Sequence, residues 1–163
     1  MAETHIQASF AFTCSHTEMA LLEEAFLAAD NLVGDFDSDP PSQEFLAAFP
    51  PSADDIWAGF RRLFADPGFP CLGAEISGGN STEHPDRNDV YVSGMTDSAP
   101  NAVACLIQRC CPSTLSQSPI GFEYCWNCSK PRPGEFGGGW CVIPADRIDS
   151  GTTGEALSAA LRT

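Results

Sequence analysis

The first 60 residues contain no lysine and no arginine, yet they carry 11 acidic residues, so this third of the chain has a formal charge of −11. That absence excludes direct contact with nucleic-acid phosphates here, because such contacts need clustered Lys and Arg. Over all 163 residues there are 8 basic against 22 acidic residues, a net charge of −14, which extends the exclusion to direct nucleic-acid binding and to anionic membrane surfaces. Charge of either sign is scarce at 18%, against about 25% in ordinary globular chains. No apolar run approaches the roughly 18 residues of a spanning helix, and the opening MAETHIQ has an acid where an export signal carries positive charge. Together these absences predict a cytoplasmic protein with no membrane association. No GxSxG serine motif is present, and no glycine-rich loop is followed by the Lys-Ser/Thr of a phosphate-binding loop.

What is present is enough apolar material for a core, 43% of residues, and a length that suits one domain spanning 1–163. Residues 5–13 alternate, with Ile6, Ala8, Phe10 and Phe12 on one side, the period of a half-buried strand. Ser15 or Thr17 then caps a helix in which Leu21, Leu22, Ala25, Phe26 and Ala29 recur at helical spacing up to Gly34. The acidic, proline-bearing stretch 34–42 reads as a loop. Helical patterns at 43–49 and 53–64, the second capped by Ser52, read as a helical insertion at about 43–65. Residues 71–77 and 89–93 read as an antiparallel pair joined by the polar GGNSTEHPDRN, and 99–111 as a second long helix ending at Pro112. Strands at 120–126 and 139–143 and a short helix at 153–161 complete the order. This sequence of elements predicts an α+β fold, an antiparallel sheet with two main helices on one face in a split β-α-β, ferredoxin-like arrangement. Phe10, Phe12, Val92 and Phe122 are its expected core-facing strand residues.

Eight cysteines in a chain this long without an export signal read as mostly reduced thiols, several of them buried. Cys125 and Cys128 form the only CxxC. The Lys130-Pro131-Arg132-Pro133 that follows forbids the regular helix on which redox CxxC pairs usually sit. A zinc site built on this pair would draw on Cys110, Cys111, Cys141, His84 or His16, none of which shows a second paired spacing. The expectation is therefore no metal and no cofactor. Asp35, Asp37 and Asp39 imitate the start of a calcium loop, but Pro40 stands where the turn needs glycine and Leu46 where the last ligand is Glu. The Gly78-Gly79 and Gly137-Gly138-Gly139 runs suit tight turns or a bulge better than a phosphate cradle.

The most distinctive stretch is 119–148, PIGFEYCWNCSKPRPGEFGGGWCVIPADRI. Its RPGEFGGG, followed by an apolar strand and Ala-Asp, resembles a segment of small uncharacterised proteins carried by bacterial plasmids and phages. The resemblance spans about 30 residues of the 163 and implies no activity, so it assigns no catalytic residue. It does imply a mobile-element setting, in which small acidic proteins similar to anti-CRISPR and other antidefence inhibitors occur as nucleic-acid mimics.

Two functions remain open at this level. The first is a cytoplasmic protein-binding accessory or inhibitor of a mobile genetic element, possessing an acidic contact surface made of Glu23, Glu24, Asp30, Asp35, Asp37, Asp39, Glu44, Asp54 and Asp55 and directed at a basic, nucleic-acid-binding partner. The second is a small-ligand or metal-dependent enzyme using Cys125, Cys128, His84 and Arg132. Charge asymmetry favours the first, although a solubilising face would look the same. Sequence leaves the oligomeric state open.

Overall fold

The computed structural model describes residues 2–162. Strand β1 (Thr4–Ser15) runs directly into α1 (His16–Gly34), and the switch is fixed by a capping box. The Ser15 hydroxyl accepts the Glu18 backbone N–H while the Glu18 carboxylate accepts the Ser15 N–H, so two otherwise orphaned donors are satisfied at the helix start. The helix closes on Asp35, whose left-handed backbone (φ 52°) returns its N–H to the Asn31 carbonyl. Along α1 the buried residues Leu22, Ala25, Phe26 and Ala29 form the stripe that their spacing predicts.

After a loop at 35–42 come α2 (Gln43–Ala48) and the single turn α3 (Ala58–Arg61). The helix expected across 53–64 is thus reduced to its middle. Asp55 is the reason: its carboxylate accepts the Trp57 N–H and pairs with Arg61, and its backbone carbonyl accepts from Ser52, bonds that favour a turn over a helix start. The segment packs on the main fold. Phe45, Phe49 and Phe60 are fully buried and pack at ring distances of 4.8–5.3 Å, Phe49 edge to face on Phe60 and Phe45 tilted against both, with Phe64 and Trp57 beside them, and they belong to the main core.

Strands β2 (Glu75–Asn80) and β3 (Arg87–Gly94) pair antiparallel, as expected, but β2 starts later than the sequence suggests and absorbs Gly78 and Gly79. Helix α4 (Pro100–Cys110) follows with proline at its first position, and a short α5 (Pro112–Leu115) occupies what the sequence presents as a Ser/Pro-rich loop. Strands β4 (Ile120–Cys128), β5 (Gly137–Ile143) and β6 (Asp149–Thr152) and the terminal α6 (Thr153–Ala160) complete the chain.

All six strands form one antiparallel sheet in the order β2-β3-β1-β4-β5-β6. The crossover through α1 leads from β1 to β2 with β3 between them, and that through α4 leads from β3 to β4 with β1 between them. This is the split arrangement of an α+β fold, extended by the β5-β6 hairpin. Helices α1 and α4 contact each other and the sheet on one face. Val90, Val92, Ile120, Phe122, Cys141 and Ile143 are buried beneath them. Phe10 and Phe12 are half-buried against the same core, and Phe10 stacks on Phe122 at 4.2 Å, so the expected strand phase is correct. The opposite face is open, with Tyr91 and Trp140 exposed.

The glycine run of β5 is neither a turn nor a bulge. A Cβ on Gly137 would overlap the Trp126 ring, and one on Gly139 the Tyr124 ring. The Gly137-Gly138-Gly139 end of the RPGEFGGG signature is therefore a smooth track against which Trp126 and Tyr124 of β4 lie, while residues 132–136 form the loop before it. No helix among the described residues is long and apolar enough to cross a membrane.

Candidate functional site

Three places in the fold concentrate chemistry-bearing side chains: the acidic flank of α1, the CxxC of β4 and a buried thiol cluster where β1, α1 and α5 meet.

The acidic flank forms a cleft of about 480 Å³ between α1 and the 35–42 loop, lined by Glu23, Glu24, Asp37 and Asp39 together with Leu27 and Trp57. No Lys or Arg lines it. The remaining sequence-predicted contact residues, Asp30, Asp35, Glu44, Asp54 and Asp55, lie outside this cleft. The carboxylates are not equivalent. Glu24 accepts both the N–H and the hydroxyl of Ser42, at 2.7 and 2.6 Å, and so holds the start of α2 against α1. Asp55 is committed to Trp57 and Arg61. Asp35 fills the left-handed cap of α1, a position that Asp tolerates better than most residues. Glu23, Asp37 and Asp39 are exposed, and they face a half-buried indole whose orientation is fixed by an edge contact with Phe45 at 5.5 Å.

The CxxC does not form a site. Cys125 and Cys128 lie three residues apart on an extended strand, roughly 10 Å between their Cα atoms, whereas a disulfide needs less than about 7 Å. The odd spacing also turns them to opposite faces, with Cys125 exposed and Cys128 buried. His84 belongs to the loop entering β3, whose Arg87 lies opposite Ser15, while Cys125 lies opposite Gln7. Roughly 25 Å of strand β1 separates those two positions. Arg132 is exposed in the β4-β5 loop and ion-paired with Glu135 at 3.6 Å. The four residues of the enzyme reading thus do not converge.

The thiol cluster was not visible in the sequence. Sγ of Cys14 and Cys111 and a carboxylate oxygen of Glu18 lie within 4.8 Å of one another, and all three residues are buried. Cys14 comes from the end of β1, Glu18 from the first turn of α1 and Cys111 from the junction of α4 and α5. Glu18 accepts the Thr114 N–H at 2.9 Å and the Thr114 hydroxyl at 2.6 Å in addition to the Ser15 N–H at 3.0 Å. Burial pushes its carboxyl up, but the Thr114 hydroxyl and the Ser15 and Thr114 backbone N–H groups outweigh that and leave it below its ordinary value. The Thr114 hydroxyl in turn accepts from Arg87 Nη2 at 2.9 Å. The Cys111 thiol is pushed far up by its hydrogen bond with Cys14 and by burial, and Cys110 is raised by burial and then by the neighbouring negative charge of Glu24. Cys110 and Cys111 are therefore neutral thiols near pH 7 rather than nucleophiles. The capping box Ser15-x-x-Glu18 is legible in the sequence, but it carries no signal for Cys14 and Cys111.

No family model, curated protein or solved structure matches the chain.

Proposed function

We propose that the protein is an acidic protein-binding module, a cytoplasmic accessory or inhibitor of a mobile genetic element, which receives a basic partner on the face formed by α1 and the 35–42 loop. The observation that carries this reading is the cleft in which Glu23, Asp37 and Asp39 stand exposed around Trp57 and Leu27, with no positive side chain among its lining residues. A lysine or arginine of the partner entering there gains charge attraction from three carboxylates. It also gains about 0.5–2 kcal/mol from an aromatic ring held in place, the usual range for a cation over an indole. Leu27, 60% exposed, supplies apolar contact for the stem of such a side chain. The wider −11 field of the first 60 residues steers a cationic surface toward the cleft and repels nucleic acid. A partner that normally holds DNA or RNA in a basic groove fits this description, and the chain would then act by occupying that groove.

The test is a triple reversal, Glu23→Lys, Asp37→Lys and Asp39→Lys, which avoids Glu24, Asp35 and Asp55 because those hold the fold. Host proteins retained by the immobilised chain are identified, purified and mixed with either form in stopped flow. The reversal should slow association by about tenfold or more, with circular dichroism unchanged. Wild-type association should fall steeply with salt, since the Debye length drops from about 10 Å at 0.1 M to about 3 Å at 1 M. DNA or RNA should displace the chain from its partner. Unchanged association after reversal would assign the acidic face to solubility.

A further inference from the structure

We propose that Cys14, Glu18 and Cys111 form a binding site for a single thiophilic d10 cation, zinc being the physiological member of that class. This inference is independent of the acidic cleft.

Four observations converge on it. The three potential ligand atoms already lie within 4.8 Å of one another. Tetrahedral zinc, with Zn–S near 2.3 Å and Zn–O near 2.0–2.2 Å, sets its ligand atoms roughly 3.5–3.8 Å apart, so closing the site needs only small side-chain shifts. The donor set of two sulfurs and one carboxylate is one that zinc accepts, whereas calcium and magnesium require oxygen. Glu18 is also a buried carboxylate that makes no ion pair among the described residues. Arg87 reaches it only through the Thr114 hydroxyl. Its three hydrogen bonds keep it ionised, so it presents a buried negative charge to which a cation can add the pairing that neutral donors do not give.

The hydrogen bonds leave room for a metal contact. Oε2 of Glu18 accepts two bonds, from Ser15 N and Thr114 Oγ1, whereas Oε1 accepts only the Thr114 N–H and keeps one lone pair. Thr114, Ser15 and Arg87 then act as outer partners that fix the carboxylate's orientation, as such partners do around bound zinc. Binding exchanges two S–H protons, released to solvent, for two sulfur–metal bonds, with no change of oxidation state. The ligands bring three negative charges to a dication, and the Arg87 guanidinium behind Thr114 offsets the remainder. Because the ligands come from β1, α1 and the α4-α5 junction, the ion would tie the central strand to both crossover helices. This departs from the expectation of no metal, which weighed a zinc site built on the CxxC and a calcium loop at Asp35, Asp37 and Asp39 but not this trio.

The experiment uses the full chain, reduced and stripped with chelator. After dialysis against zinc, metal content should approach one equivalent, and titration with cadmium should raise an ultraviolet thiolate-to-metal band that saturates at the same ratio. Cys14→Ser and Cys111→Ser should each weaken zinc binding by at least tenfold, and the double variant Cys125→Ser/Cys128→Ser should bind as wild type. Should either ligand variant fail to fold, the wild-type chain suffices: at a urea concentration that opens the metal-stripped chain, added zinc should shield Cys14 and Cys111 from alkylation, read by peptide mass spectrometry, while Cys125 still reacts. The proposal is overturned if no equivalent is retained, if the ion is lost with Cys125 and Cys128 instead, if shielding falls on other cysteines, or if Cys14 and Cys111 are recovered as a disulfide that takes up no metal.

Discussion

Truncating Phe45 to alanine should remove roughly 3–5 kcal/mol from the free energy of unfolding, the usual cost of deleting a buried phenyl ring. Phe45 is fully buried and lies within 4.8–5.5 Å, ring to ring, of Phe49, Phe60 and Trp57. Deletion forfeits the apolar burial and leaves a cavity that three rigid rings fill poorly, so relaxation recovers little. Against a typical total of about 5–15 kcal/mol, such a loss decides whether the chain is folded at 37 °C. The measurement is urea unfolding followed by tryptophan fluorescence and by far-ultraviolet circular dichroism. Trp57 reports the aromatic cluster, while Trp126 and Trp140 report the sheet. One coincident transition, shifted to lower urea, is the expected outcome. A loss below about 1 kcal/mol, or a cluster that melts apart from the sheet, would show that residues 43–65 lie on the fold without sharing its cooperative core.

A comparable loss, about 3–5 kcal/mol, should follow Glu18→Ala measured in the presence of chelator, so that metal does not enter. Three donors point at this carboxylate, the Ser15 N–H, the Thr114 N–H and the Thr114 hydroxyl. Bonds to a charged acceptor contribute about 1.5–3 kcal/mol each, and the two Thr114 donors left behind are buried without that acceptor. The exposed Glu23→Ala should cost no more than about 0.5 kcal/mol. The same geometry sets the sign of the pH response. The carboxyl titrates below its ordinary value of 4.5 in the folded protein, so its stabilising contribution is fully present above pH 4.5 and is lost as pH falls through the lower folded value. Wild type should therefore lose stability as pH drops below 4.5, and Glu18→Gln should lose less over that interval. Parallel pH curves for the two proteins would remove Glu18 from the acid response.

The parts of the fold with a clear period were legible in the sequence. Phe10 and Phe12 on β1, Phe122 on β4 and the Leu22-Phe26-Ala29 stripe of α1 sit where alternation or helical spacing puts them, because burial of one face imposes that period. Strand β6 was missed because Asp149-Ser150-Gly151-Thr152 carries no apolar alternation, and its pairing is a backbone matter, with Gly151 lying under the Trp140 ring. Helix α5 is a single turn, too short for any period to show, and the 53–64 pattern was overridden by the side-chain bonds of Asp55. The acidic surface was legible as composition, yet charge counting could not separate Glu24, committed to Ser42, from the free Glu23 beside it. Cys14 and Cys111 were unreadable as a pair. Nothing local links two residues that only the crossover through α4 brings together.

The placement of β1 has a kinetic consequence. Its two neighbours are β3 and β4, with Ala8 opposite both Gly94 and Tyr124, so none of its ladder bonds closes a short loop. High contact order slows folding, because loop entropy is lost before any pairing repays it. During synthesis, β1 emerges before both partners and stays unpaired until the residues of β3 clear the ribosome, a window in which its Phe10 and Phe12 are open to misassociation. Residues 16–60, which follow it in that window, carry ten acids and no lysine or arginine. Charge repulsion between nascent chains would then oppose the pairing of one waiting strand with another.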